Sequence, residues 1–216
     1  MLITTFLSEA RTLLKVAAHL VLDTIGQLQT ILRVLKLIRS GRPIRLDLGN
    51  AKQGADGWTT LDQNRRGPDL SWNLLLGIPF PDATVAEIYT SHTLEHFDPI
   101  HLIDLLRECM RVLVPGGTLS VAVPNARLWI EAYINGTELE EKIFCGHVPA
   151  RFHYGRLDLV NYVAYMAGEH RYLFDEENLV NILASTGFRE ARLREFDPRV
   201  DIAARHAQSL YATAIR

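Results

Sequence analysis

The sequence has little cysteine, almost no excess of charge and no basic excess of the kind that nucleic-acid binders show. Its two cysteines, Cys109 and Cys145, are too few for a disulfide framework and have no zinc-site spacing, which fits a reducing, cytoplasmic setting. The net charge of −2 gives no reason to expect a nucleic-acid partner. The first residues lack the basic, apolar and small-residue order of a signal peptide.

Apolar residues, by contrast, make up 48% of the 216 residues, enough for a sizeable core, and the length suits a single domain. Composition and periodicity divide the chain into an N-terminal helical extension (residues 1–40) and a main domain (residues 41–216). Residues 126–170 form a distinct segment of the main domain, rich in aromatic residues and histidine and without a clean period.

One long helical pattern covers residues 7–39, with apolar residues at spacings of three and four. Asp23 and two glutamines interrupt it, which argues against a membrane span, and Gly41 and Pro43 end it. We expect its wide apolar face to pack on the domain or in a homodimer. A weak contact with a membrane surface remains an alternative, and it rests on a basic cluster: Arg33, Lys36, Arg39, Arg42 and Arg45.

The main domain alternates predicted strands with loops or helices, and this order predicts a parallel sheet covered by helices. Ligands of such sheets bind beyond the carboxyl ends of the strands. The predicted strands are Ile44–Leu48, Trp58–Asp62, Asp69–Trp72, Glu87–Thr90, Thr118–Val123, Arg189–Phe196 and Ser209–Ile215. The predicted helices of this part are Asp98–Leu113 and Asp175–Ser185.

The first candidate site is the string LDLGNAKQGADGWTTLD, residues 46–62. Gly49, Ala51 and Gly54 stand where a G-x-G-x-x-G fingerprint has its glycines, and small residues there let backbone N–H groups approach a ligand. Asp62 ends the second strand, where a carboxylate can accept hydrogen bonds from both ribose hydroxyls. A tight turn followed by a surface aspartate is the alternative, and Ala51 departs from the pattern.

Three strings in order, LDLGNAKQGADGWTTLD, LLLGIPFPDATVAEIYTSHTLEHF and LLRECMRVLVPGGTLSVAVPN, resemble the type 11 group of class I S-adenosylmethionine-dependent methyltransferases. The later GEHRYLFDEENLVNILASTGF is similar to the C-terminal part of that group. The subset found beside sugar-polymer biosynthesis genes shares the short second strand. The resemblance covers about residues 44–216. It implies a Rossmann-like, mostly parallel seven-stranded sheet with helices on both faces and an antiparallel last strand.

The resemblance also implies S-adenosylmethionine as cofactor and assigns roles by position. The first motif, facing the methionine part of the cofactor, would be Asp47, Gly49, Asn50 and Ala51. Asp62 would bind the ribose. Asn73 and Leu74 would meet the adenine, although aspartate is common where Asn73 stands. Ser91 and His92 would follow the fourth strand, beside the methyl group.

Methyl transfer to a hydroxyl is helped by a base, for which histidine is the usual residue. The candidates are His92, at a strand end, and three histidines near the segment 126–170, where we expect the acceptor pocket: His147, His153 and His170. Each could instead be an ordinary packing or capping residue.

His92-Thr93-Leu94-Glu95-His96 matches the H-x-x-E-H string of inverted zinc peptidases. That interpretation requires the string to lie inside a long helix. Here it follows a strand and begins a turn, so we predict no metal site and expect Glu95 and His96 to form hydrogen bonds that stabilise the turn.

The resulting hypothesis is S-adenosylmethionine-dependent methyl transfer, at oxygen, to a small or sugar-like acceptor. The alternative is a non-catalytic domain of the same fold that binds a partner or has a regulatory role. A nicotinamide-dependent oxidoreductase is disfavoured because the sequence has no Tyr-x-x-x-Lys motif.

Overall fold

The structure, a computed structural model, describes residues 24, 26–49, 55–63, 69–144 and 154–216. Its strands are β1 (Ile44–Leu48), β2 (Thr59–Asp62), β3 (Leu70–Ser71), β4 (Val85–Ser91), β5 (Leu113–Pro124), β6 (Arg189–Leu193) and β7 (Ser209–Ile215). Its helices are α1 (residues 26–39), α2 (Pro99–Val112), α3 (Ala126–Asn135), α4 (Leu157–Tyr165) and α5 (Glu176–Ser185).

The seven strands form one sheet in the order β3-β2-β1-β4-β5-β7-β6. Neighbours from β3 to β5 pair in parallel, and β7 runs antiparallel to both β5 and β6. The sheet is therefore mostly parallel with an antiparallel last strand, as the resemblance implied. Helices flank the sheet, and the architecture is Rossmann-like.

The centre of the sheet is largely buried, and large apolar side chains of its strands form the core. Leu46 and Leu48 of β1 and Val121 of β5 are 0% exposed. Helix α2 covers the sheet with the apolar face that its spacing predicted: Leu102, Leu105, Leu106, Cys109 and Val112. Asp98 caps this helix by accepting hydrogen bonds from the backbone N–H groups of Ile100 and His101. The helix begins eight residues after the end of β4 at Ser91.

Most predicted bounds are confirmed within a few residues, and the largest difference is in β5. The prediction began this strand at Thr118, whereas the structure begins it at Leu113. Leu113 pairs with Val85 of β4 across an irregularity in the register, so a contact between distant segments extends the strand. Strand β6 was predicted to end at Phe196, and it ends at Leu193.

Helix α1 packs beside β3 at the sheet edge. Thr30 and Val34 are buried, the Thr30 hydroxyl donates to the Ser71 carbonyl at 2.8 Å, and the Arg33 guanidinium donates to the Asp69 carbonyl. Residues 7–23 of the predicted helix lie outside the described residues. In the part of the chain that the structure describes, no helix has the length and apolarity needed to cross a membrane.

The segment 126–170 contains α3, α4 and a second, smaller core. Trp129, Ile143 and Val163 are buried there, and the Trp129 ring lies 5.3 Å from that of Phe144 and 5.5 Å from that of Tyr162, centroid to centroid. These aromatic residues therefore pack against one another.

Candidate functional site

The carboxyl ends of β1, β2 and β4 surround a cavity of about 720 Å³. Five of the predicted site residues line it together: Gly49, Asp62, Asn73, Leu74 and His92. The cavity lies where ligands of open parallel sheets bind, and its size falls within the usual range for small-molecule sites.

Gly49 follows β1 with φ at +94°, a conformation that favours glycine. A Cβ on Gly49 would lie 2.0 Å from Thr93 Oγ1, so the first loop and the turn after β4 approach each other closely. Its N–H donates to the Leu61 carbonyl at 3.0 Å, which joins this loop to β2. Asp47, the next-to-last residue of β1, is fully buried and does not line the cavity.

Asp62 is the last residue of β2, and its side chain is half-buried. This carboxylate, predicted to accept hydrogen bonds from the ribose, lines the cavity. Beyond β3, the Asn73 side chain accepts a hydrogen bond from the Leu75 N–H at 3.0 Å and caps the short turn Leu74–Leu76. A carbonyl oxygen has two lone pairs, so the capped Asn73 oxygen can still accept from an adenine amino group.

His92 lies just after β4 with φ at +53°. Its Nε2 is 2.8 Å from Ser209 Oγ. Because the Ser209 hydroxyl donates to the Arg205 carbonyl, the serine oxygen must accept, and Nε2 carries the proton. Burial, with a smaller contribution from Arg205, lowers the pKa of His92 to about 3. A neutral His92 can accept a hydrogen bond through Nδ1, although it is a weak base.

Ser91, also predicted beside the methyl group, is buried and outside the lining of the cavity. Its carbonyl and hydroxyl oxygens accept hydrogen bonds from Arg205 at 2.8 and 3.2 Å. Ser91 therefore anchors Arg205 under the end of β4.

Glu95, His96 and His170 form a cluster next to the cavity. Each offers one potential ligand atom, and these atoms lie within 4.8 Å of one another. Glu95 and His96 belong to the short turn Leu94–His96, and His170 precedes the bridge at Phe174. His96 lines the cavity, whereas His170 is 6% exposed and lies behind it.

The H-x-x-E-H string thus follows a strand and forms a turn, as predicted, and not a long helix. His92 lies in the left-handed region and only Leu94–His96 are helical, in a short 3-10 turn. His92 and His96 consequently do not share one face of an α-helix, which the peptidase interpretation requires.

Several residues of the cavity wall had no signal in the sequence analysis. They come from the turn after β4, the start of α2 and the end of the segment 126–170: Thr93, Phe97, Asp98, His101, Gly168, Glu169 and Arg171. The wall therefore includes the C-terminal end of the segment in which the acceptor pocket was predicted. Four predicted site residues, Asn50, Ala51, His147 and His153, lie outside the described residues.

The family model described as a methyltransferase domain matches residues 63–121, which include β3, β4, α2 and most of β5. No curated protein matches the sequence significantly.

Solved structures similar to this chain are S-adenosylmethionine-dependent methyltransferases. One from Archaeoglobus fulgidus has a TM-score of 0.52 and 15% identity, covering 88% of this chain and 94% of the other. One from Mesorhizobium loti has a TM-score of 0.47 and 17% identity, covering 84% and 96%. The 1,6-didemethyltoxoflavin-N1-methyltransferase of Burkholderia thailandensis has a TM-score of 0.47 and 14% identity, covering 98% and 88%.

The likeness to the first of these structures shows the fold, and residues 63–121 are similar to a methyltransferase domain.

Proposed function

We propose that this protein transfers a methyl group from S-adenosylmethionine to a hydroxyl of a small or sugar-like acceptor. The observation that carries the proposal is the cavity at the carboxyl ends of β1, β2 and β4, which gathers Gly49, Asp62, Asn73 and His92. These residues come from separate strand ends and match the positions that a nucleoside cofactor needs.

The described residues fit the cofactor. Gly49 lines the cavity, and because it has no side chain a ligand can approach its backbone closely. Asp62 would hold the ribose, and Asn73 with Leu74 would hold the adenine. When bound, S-adenosylmethionine supplies a methyl group that passes from sulfur to the acceptor oxygen, while the hydroxyl proton goes to a base.

The acceptor side of the cavity favours a hydroxyl-rich molecule. Its wall carries His96, His101, Asp98, Glu169 and Arg171, a mixture of donors and acceptors that suits several hydroxyl groups at once. This polarity supports a sugar-like acceptor, as in the subset associated with sugar polymers. Of the four predicted bases, His92 lines the cavity but is weakened as a base by its burial. His170 is not among the lining residues, and His147 and His153 stay predictions.

Binding of S-adenosylhomocysteine, measured by calorimetry, tests the cofactor part of the proposal. Asp62→Ala should weaken binding about 10- to 100-fold, because hydrogen bonds to a charged group contribute about 1.5–3 kcal/mol. Asp104→Ala, which removes an exposed carboxylate paired with Arg107 on α2, is the matched control and should bind normally. Absence of binding by the unaltered chain would favour the non-catalytic alternative.

Methyl transfer itself is tested with radiolabelled S-adenosylmethionine and a panel of monosaccharides and nucleotide sugars. We expect formation of S-adenosylhomocysteine together with an O-methyl product identified by NMR. Turnover on amines, and none on hydroxyl acceptors, would overturn the assignment to oxygen.

A further inference from the structure

Glu95 and His96, in the turn after β4, are held against the segment that carries His170. The backbone N–H groups of Arg171 and Tyr172 both donate to the Glu95 carbonyl, at 2.7 and 3.1 Å. The His96 and His170 rings meet edge to face, with centroids 5.0 Å apart. Two segments distant in sequence thus place an acid and two imidazoles in one small volume.

Both imidazoles present an unprotonated nitrogen. His96 Nδ1 lies 3.0 Å from the Glu169 carbonyl, and His170 Nδ1 lies 2.7 Å from the Val163 carbonyl. A carbonyl oxygen only accepts, so each Nδ1 carries the proton and the Nε2 of a neutral ring keeps its lone pair. Histidines that ligate metals usually donate their other N–H to a carbonyl or carboxylate in this way.

The Glu95 carboxyl has no hydrogen-bond partner among the described residues. Its side chain is 2% exposed, and both of its oxygens are buried without a partner. His92 Nδ1, at 3.8 Å from Oε1, is too far for a hydrogen bond, and the cation Arg205 directs its NH1 at Ser91. An isolated buried carboxylate is costly unless it pairs with a charge or a metal.

We propose that Glu95, His96 and His170 bind a divalent transition metal ion of the zinc type. Two imidazole nitrogens and one carboxylate oxygen are the ligands of several three-residue zinc sites, which leave a further position open. Calcium and magnesium prefer sites made of oxygen ligands, so the donor set favours zinc or a first-row neighbour.

The geometry requires only a modest contraction. Ligand atoms about 2.0–2.2 Å from zinc lie roughly 3.5 Å apart in a tetrahedral arrangement, compared with separations of up to 4.8 Å here. His96 is half-buried and lines the cavity, whereas Glu95 and His170 are buried. A bound cation would favour the ionised Glu95 carboxylate that serves as ligand.

This inference departs from the expectation of no metal, which considered His92 and His96 as a pair on one helix. In the structure His170 takes the place of His92 beside Glu95 and His96. The open position would face the cavity on the side of His96, where the ion would bind the acceptor oxygen. That role rests on the proposed function, whereas metal binding does not.

The first experiment measures metal binding on the full chain after treatment with EDTA and removal of the chelator. Titration calorimetry with zinc alone should give one site per chain, and cobalt should produce the visible absorption bands of a tetrahedral site. His96→Gln and Glu95→Gln should weaken zinc binding about a hundredfold or more, since even outer partners of metal ligands cost about 10- to 100-fold. The same loss is expected for His170→Ala.

His101→Ala is the matched control. His101 lines the same cavity and contacts Asp98 at 2.7 Å, but it lies outside the cluster, so zinc binding should be unchanged. If His170→Ala fails to fold, His96→Gln still decides the question, because its side chain is only half-buried. No stoichiometric binding, or equal affinity in His96→Gln and the unaltered chain, would overturn the proposal in favour of a protonated Glu95 in a purely structural turn.

A second measurement separates this proposal from the proposed function. Binding of S-adenosylhomocysteine to the EDTA-treated chain reports on the cofactor site alone. If this chain binds S-adenosylhomocysteine but no zinc, the metal proposal is refuted and the methyltransferase proposal stands. Zinc binding that depends on the cluster, without cofactor binding, would eliminate the methyltransferase and leave the metal site.

Discussion

Replacing Gly49 with alanine should destabilise the protein at the edge that forms the cavity. A positive φ such as the +94° of Gly49 costs an L-residue about 1–2 kcal/mol. The new Cβ would lie 2.0 Å from Thr93 Oγ1 and 3.1 Å from Thr93 Cβ, so the Thr93 side chain must move. That movement breaks the hydrogen bond from Oγ1 to the Leu48 carbonyl, 3.2 Å long, at a cost of about 0.5–1.5 kcal/mol. The expected loss is about 1.5–3.5 kcal/mol.

Urea unfolding of Gly49→Ala, Thr93→Ala and the double variant measures this loss and its cause. The double variant lacks Oγ1 but keeps the backbone strain, so it should lose less than the sum of the two single variants. Coupling of about 0.5–1.5 kcal/mol is expected, the energy of the hydrogen bond that would otherwise be counted twice. The reasoning fails if Gly49→Ala lies within about 0.5 kcal/mol of the parent or if the two changes are additive.

Three further predictions concern the body of the fold. Hydrogen bonds from Arg111, both 2.7 Å long, lower the pKa of Glu108 in the folded state. These bonds therefore stabilise the fold fully above the pKa that Glu108 has in the unfolded chain, and the stabilisation is lost as the pH falls through its folded-state pKa. Glu108→Gln should therefore cost about 1–2 kcal/mol near neutral pH and less in acid, and a pH-independent difference would contradict this. The Asp201 side chain is fully buried, and its carboxylate oxygens lie 2.5 and 2.7 Å from the Arg194 guanidinium. Asp201→Asn should therefore lower the free energy of unfolding, measured by heat or urea, by about 3 kcal/mol. A loss under about 1 kcal/mol would refute this expectation. Deleting residues 1–40 should cause aggregation or a changed oligomeric state by light scattering, whereas a soluble chain of unchanged state that no longer binds anionic liposomes would favour the membrane-surface role.

The strands were predictable from sequence where local signals mark them. Ile44–Leu48 and Ser209–Ile215 are short apolar or alternating runs between turn residues, and the structure gives them the same bounds. The early start of β5 at Leu113 has no local signal, because it depends on pairing with Val85 across the sheet. Helix α4 was missed for a related reason: it buries only Val163 among its nine residues, so its apolar period is weak.

The convergence of Gly49, Asp62 and Asn73 on one cavity was predictable from their places at the strand ends. Gly49, Asp62 and Asn73 each stand at a fixed distance from a strand end, and strand ends converge at one edge of a parallel sheet. The cluster with His170 was not predictable, since 74 positions separate His96 from His170 and no spacing rule links them. The one local signal, the string from His92 to His96, includes two members of the cluster but not His170.

The turn after β4 connects the two sites that this structure suggests. Thr93 fills the space beside Gly49 in the first loop, and two residues later the Glu95 carbonyl accepts hydrogen bonds from the segment that carries His170. Gly49, at the start of the first loop, and the Glu95 cluster are thus in contact with the same short turn. If both sites are occupied, ligand binding at one should alter affinity at the other, and by linkage the effect must be reciprocal. Zinc affinity measured with and without S-adenosylhomocysteine would reveal this coupling as a difference between the two dissociation constants.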